Sequence, residues 1–178
     1  LVKSSAASDV YKRQYKNNLK QISIVIPLFN ESENLTILVK SLNKVLLGLN
    51  YEVILVNDGS TDGTEIKLRE INYPNYIIIE LEKNYGQTIA LAAGIDLAQG
   101  NYIVTMDGDL QNDPSDIIWM INKAKTENWD LVTGVRVHRK DGIKKIIPSK
   151  VANYLIGLVT KLYVKDHGCA LKVFKNCL

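Results

Sequence analysis

Asp107 and Asp109 stand one residue apart, directly after the apolar run Tyr102-Ile103-Val104-Thr105-Met106 and before Leu110-Gln111-Asn112-Asp113-Pro114. Residues i and i+2 of a strand share a face, so two acids at a strand end project into one crevice. There their hard oxygen donors can hold Mg²⁺ or Mn²⁺. Such a spacing arises by chance in roughly half of chains this long, so the neighbouring loops must supply the specificity. A calcium loop read from Asp107 fails, because it would need Gly and Glu where the chain has Asn112 and Ile118.

A second acid, Asp58, opens the segment Asp58-Gly59-Ser60-Thr61-Asp62-Gly63-Thr64 after another apolar run and Asn57. A carboxylate at a strand end can accept from the N–H edge of a nucleobase. The same residues also suit a tight Asx/Gly turn, and both readings stand. The loop Pro27-Leu28-Phe29-Asn30-Glu31 follows the first apolar run. It has neither the G-x-G-x-x-G of a dinucleotide fold nor a P-loop, which removes the two commonest phosphate cradles. A phosphoacceptor receiver domain would need an acidic pair where Phe29-Asn30-Glu31 stands.

The elements that must position these residues alternate along the chain. Short β-branched runs at 22–27, 52–56, 76–81, 102–106 and 131–135 are separated by helical-period segments at about 31–48, 63–72, 86–99 and 115–127. Repeated βαβ units predict an α/β domain with a mostly parallel sheet, helices on both faces and ligands at the carboxyl ends of the strands. Asn30 with Glu33 resembles a capping box, and Asp113 before Pro114 reads as an N-cap.

The chain has 178 residues, 46% of them hydrophobic, enough for one compact domain with a real core. Cys169 and Cys177 form no ligand or disulfide pattern and are expected to be free, buried thiols. The net charge of +3 hides a segregation: residues 1–20 carry +4, residues 21–135 carry −9 and residues 136–178 carry +8. An acidic body repels phosphates unless a cation intervenes, whereas a basic tail suits a phosphate or an anionic membrane surface. Residues 1–20 are polar, basic and aperiodic, and are expected to lie outside the fold as a leader or non-native flank. The domain is expected to occupy 21–178 and to be truncated at its C-terminus.

Four segments in order resemble family 2 glycosyltransferases with a GT-A (Rossmann-like) fold. They are Ile26-Pro27-Leu28-Phe29-Asn30-Glu31, Val56-Asn57-Asp58-Gly59-Ser60, Lys83-Asn84-Tyr85-Gly86 with Ala93-Gly94, and Asp107-Gly108-Asp109-Leu110-Gln111-Asn112-Asp113-Pro114. The D-x-D-L-Q-x-x-P form is similar to the polyprenyl-phosphate branch, which includes dolichol-phosphate mannose synthases and bactoprenol glucosyltransferases. The resemblance implies an inverting, metal-dependent transfer of a sugar from a nucleotide-diphosphate sugar to undecaprenyl or dolichyl phosphate, in cell-envelope glycan synthesis. It implies that Pro27, Phe29, Glu31, Asp58, Asn84 and Asp107 bind the nucleotide. Asp107, Asp109 and Gln111 would serve Mg²⁺ or Mn²⁺, with Asp109 catalytic; Arg136 is a second catalytic candidate from its own place after the last strand run. Phe29 replaces the more usual Tyr, and Asn57 replaces an Asp, which leaves UDP and GDP both open.

The acceptor is read from the tail. A phosphate monoester is already largely anionic at pH 7 and can attack without the general base that a hydroxyl needs. Asp166-His167-Gly168-Cys169-Ala170-Leu171-Lys172 is similar to an element of some lipid-phosphate members. Arg136 offers the guanidinium fork that matches phosphate, with Arg139, Lys145 and Ser149 as further acceptor-phosphate candidates. Residues 146–164 are apolar but hold Lys150, Asn153 and Lys161, which suits a helix at a membrane interface better than a span. The expected place is the cytoplasmic face of a membrane, peripheral or anchored, with no nucleic-acid partner and self-association left open. The alternatives are a relative using a saccharide hydroxyl and a non-catalytic nucleotide-sugar-binding domain.

Overall fold

The computed structural model describes residues 21–135 and 168–176. Along the chain run β1 (Ile22–Leu28), α1 (Ser32–Val45), β2 (Tyr51–Asn57), α2 (Thr64–Arg69), β3 (Tyr76–Glu80) and α3 (Gln87–Leu97). They are followed by β4 (Tyr102–Thr105), α4 (Asp116–Thr126), β5 (Leu131–Thr133) and β6 (Lys172–Lys175). The helices and the first five strands fall where the hydrophobic periodicity predicts them; β1 and β2 run a residue longer at one or both ends, and the other elements are shorter by a few residues.

Among the described residues one sheet has the order β3-β2-β1-β4-β6-β5. The pairs β1/β2, β1/β4 and β2/β3 are parallel, whereas β6 runs antiparallel to both β4 and β5. The sheet is therefore mixed, and the sequence reading missed β6. Its four residues, Lys-Val-Phe-Lys, are too short and too weakly bounded by turn residues to announce a strand. Leu131–Thr133 lies outside β6 rather than beside β4, so the last strand of the sequence reading is an edge strand.

Period-two alternation sorts the core onto both faces. Ile24, Ile26 and Leu28 of β1, with Val53, Leu55, Val104 and Met106, pack against Leu35, Leu38, Val39 and Leu42 of α1 and Ile117, Met120, Ile121 and Ala124 of α4. Val25, Ile54, Val56 and Ile103 point the other way and meet Ala90 and Ala98, the latter just past the end of α3. Each fully buried Leu or Ile contributes about 1.5–3 kcal/mol, so the two-sided burial of β1, β2 and β4 holds their carboxyl ends firmly.

The chain steps from β1 to β2 on one side and later returns to β4 on the other, so the strand order reverses at β1. A crevice opens at such a switch point. Leu28 is in register with Asn57, the Asp58 N–H donates to the Leu28 carbonyl (2.8 Å), and the Met106 N–H donates to the Val25 carbonyl (3.2 Å). The acids that follow β2 and β4 are thus carried to one edge. Among the described residues no helix is long and apolar enough to cross a membrane.

Candidate active site

A cavity of about 280 Å³ lies on that edge. Pro27, Phe29, Glu31, Asp58, Asn84, Asp107 and Asp109 all line it, so every nucleotide candidate and both acids of the strand-end pair meet in one place. Leu28, Gly86, Gln87 and Gly108 complete the lining. Of these, Gln87 was invisible to motif reasoning, because a lone Gln after a Gly carries no spacing signal.

Asp58 sits at one end, only 3% exposed. Its Oδ1 accepts from the Tyr85 N–H (2.8 Å) and its Oδ2 from the Gly86 N–H (2.9 Å). It therefore clamps the loop after β3, which is more than the local turn that its own segment suggested. The loop presses so closely on Gly59 (φ +67°) that a Cβ there would collide with the backbone of Lys83 and Asn84. Gly86 has φ 92° and ψ 154°, a conformation essentially closed to other residues, and it hands the chain to Gln87 at the start of α3.

Asn57 turns its side chain into the turn, where Oδ1 accepts from the Ser60 N–H (3.1 Å). The loop after β1 is locked to the loop after β2. The Asn30 N–H donates to Ser60 Oγ, the Glu31 N–H to Thr64 Oγ1 and the Ser32 N–H to Asp62 Oδ2, each at 3.0 Å. In return the Thr61 N–H donates to Asn30 Oδ1 (2.8 Å). Asn30 is left-handed (φ 57°) and does not cap α1, whose N-cap position is Glu31. A side chain from another loop, Asp62, serves that helix start instead, so the capping-box expectation is corrected. Some loss of hydration pushes the Asp62 carboxyl up, but hydrogen bonds from Thr64 and Ser32 outweigh it and hold Asp62 well below the usual carboxylate range.

Two side chains shape the mouth. Phe29 lines the cavity with 47% of its surface exposed, and an exposed ring can stack on a planar group. Glu31 is steered by Asn34, whose Nδ2 donates to Oε2 (2.6 Å).

The end lined by Asp107 and Asp109 is built differently. Leu110 adopts φ 60°, a costly conformation for a residue with a Cβ, and this sharp reversal lets the Gln111 N–H donate to Asp109 Oδ1 (3.1 Å). Gln111 is exposed and outside the cavity lining, so its side chain is not among those brought together here. Asp107 Oδ1 accepts from Gln87 Nε2 (2.6 Å). Asp113 accepts from the Ser115 N–H (2.8 Å) and is lowered by that bond, but α4 starts later, with Ser115 at its N-cap position. Cys169 is a buried thiol in no disulfide among the described residues, as expected. Arg136, Arg139, Lys145, Ser149, Cys177, the apolar stretch 146–164 and residues 1–20 lie outside the described residues.

The donor set suits a hard divalent cation, since Asp107 and Asp109 supply carboxylate oxygens at one end of an open cavity. No group of three or more His, Cys, Asp or Glu among the described residues could enclose an ion. The protein would thus provide part of a coordination shell, and substrate oxygens the remainder.

The sequence matches Glycosyl transferase family 2 over residues 23–176. It is 44% identical over 161 residues to the dodecaprenyl-phosphate galacturonate synthase of Rhizobium johnstonii, covering 87% of this chain and 48% of that protein. It is 38% identical over 163 residues to the undecaprenyl-phosphate 4-deoxy-4-formamido-L-arabinose transferase of Yersinia enterocolitica, covering 89% of this chain and 50% of that one. The chain therefore spans about half the length of these relatives. The Mycobacterium tuberculosis glucosyl-3-phosphoglycerate synthase, solved with Mn²⁺, UDP and glucosyl-3-phosphoglycerate, superposes with a TM-score of 0.68 at 21% identity, covering 88% of this chain and 57% of that one. That likeness shows the GT-A type of α/β fold. With the family matched across nearly the whole described region and its sequence motifs gathered at one sheet edge, this chain belongs to glycosyl transferase family 2.

Proposed function

We propose that this chain is the donor-binding catalytic part of an enzyme that transfers a sugar from a nucleotide-diphosphate sugar to a polyprenyl phosphate, with inversion, using Mg²⁺ or Mn²⁺. The observation that carries the proposal is the single cavity that joins Phe29, Glu31 and Asp58 at one end to Asp107 and Asp109 at the other. The relatives named as polyprenyl-phosphate transferases support the acceptor class.

In this reading Phe29 stacks on the base, while Pro27, Asn84 and Glu31 bound its pocket. Asp58 fixes the pocket wall and offers its remaining lone pairs to a base N–H. A cation held by Asp107 and Asp109 would neutralise the departing diphosphate. The acceptor phosphate needs no general base, so the acceptor side must chiefly orient and hold charge. Arg136 is proposed for that role, with Arg139, Lys145 and Ser149 as further acceptor-phosphate candidates, at the cytoplasmic face of the membrane.

The test has two arms. Calorimetric titration with UDP- and GDP-sugars should give binding that weakens strongly when Mn²⁺ is replaced by chelator. Equal affinity in both conditions would overturn the metal assignment. In the full-length enzyme, transfer should require a short polyprenyl phosphate and should fall by orders of magnitude in Arg136→Ala with donor binding preserved. Transfer to a saccharide hydroxyl without lipid phosphate would reassign the acceptor. Donor binding without any turnover would leave a nucleotide-sugar-binding domain.

A further inference from the structure

We propose that Gln87 is a positioning residue for Asp107 and so sets the affinity of the cation end of the cavity. The inference rests on the proposed function in assuming that Asp107 meets a divalent cation. It starts from the 2.6 Å hydrogen bond donated by Gln87 Nε2 to Asp107 Oδ1, across a gap of 20 residues in sequence. Asp107 follows the end of β4 and Gln87 opens α3, so the two are presented to the cavity by separate elements. The bond therefore fixes the carboxylate against a second support.

That support is held in turn. Gln87 follows Gly86, whose N–H is gripped by Asp58 Oδ2, while Tyr85 is gripped by Oδ1. The buried Asp58 at the base end thus fixes the turn from which Gln87 reaches Asp107 at the cation end. A neutral amide suits this task better than Lys or Arg, because it orients the carboxylate without adding a positive charge that would repel the cation. Groups that orient a metal ligand from outside its shell commonly change metal affinity by about 10–100-fold when removed. Gln87 is exposed, which places its expected effect near the lower figure.

The experiment compares wild type with Gln87→Met, which keeps the length of the side chain and removes the donor. Three quantities are measured: the Mn²⁺ midpoint for UDP binding, repeated with GDP, then nucleotide affinity in chelator, and the melting temperature. About tenfold more Mn²⁺ should be needed, with the chelator affinity and melting temperature unchanged. An unchanged Mn²⁺ midpoint overturns the proposal. So does an equal loss with and without metal, which would place the amide on the nucleotide itself, or a lowered melting temperature that accounts for the change. If wild type binds neither nucleotide more tightly with Mn²⁺, the proposed function fails first and this inference falls with it. The two failures are thus distinguishable.

Discussion

At the end of the cavity proposed to take the base, Asp58 is buried and both of its oxygens accept backbone N–H groups from the loop after β3. At the end proposed to take the cation, Asp107 and Asp109 are half-buried and accept from a side-chain amide and from a local N–H, respectively. The first carboxylate spends its charge on holding the protein together, so its geometry exists before any ligand arrives. The second pair concentrates negative charge at an open edge within a segment of net charge −9. Like charges that close favour a cation strongly and stability weakly. Substitutions at the two ends should therefore fail in opposite ways.

The largest effect is expected at the cation end. Asp109→Asn removes one full charge from the pair while keeping an oxygen acceptor for the Gln111 N–H. Metal-dependent nucleotide affinity should fall by about 100-fold or more, with an unchanged or slightly raised melting temperature. A variant that unfolds at a lower temperature would show that Asp109 is structural and would erase the contrast. At the base end the order reverses. Asp58→Ala strands the Tyr85 and Gly86 N–H groups, and lost hydrogen bonds to a charged acceptor cost about 1.5–3 kcal/mol each. A loss of about 3 kcal/mol in denaturant unfolding is expected, together with weaker nucleotide binding whose dependence on Mn²⁺ persists. Full stability with weakened binding would make Asp58 a ligand residue only.

The same contrast explains what could be read from the sequence. Strands β1, β2 and β4 are buried on both faces, so their apolar runs and following acids were visible in composition and spacing alone. Asp58, Asp107 and Asp109 were found because strand ends in a parallel sheet converge. Three features escaped for one reason, namely that each depends on contacts distant in sequence. Strand β6 gains its partners only by inserting between β4 and β5. Gln87 matters through Asp107, and Asp62 through Ser32, 30 residues away. The type and spacing of Asn30 suit a cap. In the fold its side chain is claimed by Thr61, a competition between partners that local pattern cannot rank.

The smallest expected effect lies in the brace behind the base end and follows from that miss. Asp62 Oδ2 accepts from the Ser32 N–H at the start of α1, and Oδ1 accepts from the Thr64 N–H and hydroxyl (3.0 and 2.6 Å). Asp62→Ala should cost about 1 kcal/mol, the usual value for losing a capping acceptor, and no more, because the residue is exposed to solvent. Its folded carboxyl titrates below the ordinary value of 3.8, so the unfolded chain takes up the proton first as the pH falls. The stabilisation is therefore full above about pH 4 and fades at lower pH. The wild type and Asp62→Ala should differ in urea unfolding at pH 7 and converge toward pH 2. A gap that stays constant over that range would mean that shape rather than charge holds the two loops together. If nucleotide affinity at pH 7 fell together with stability, the brace would belong to the binding surface and the base end would be less rigid than its hydrogen bonds imply.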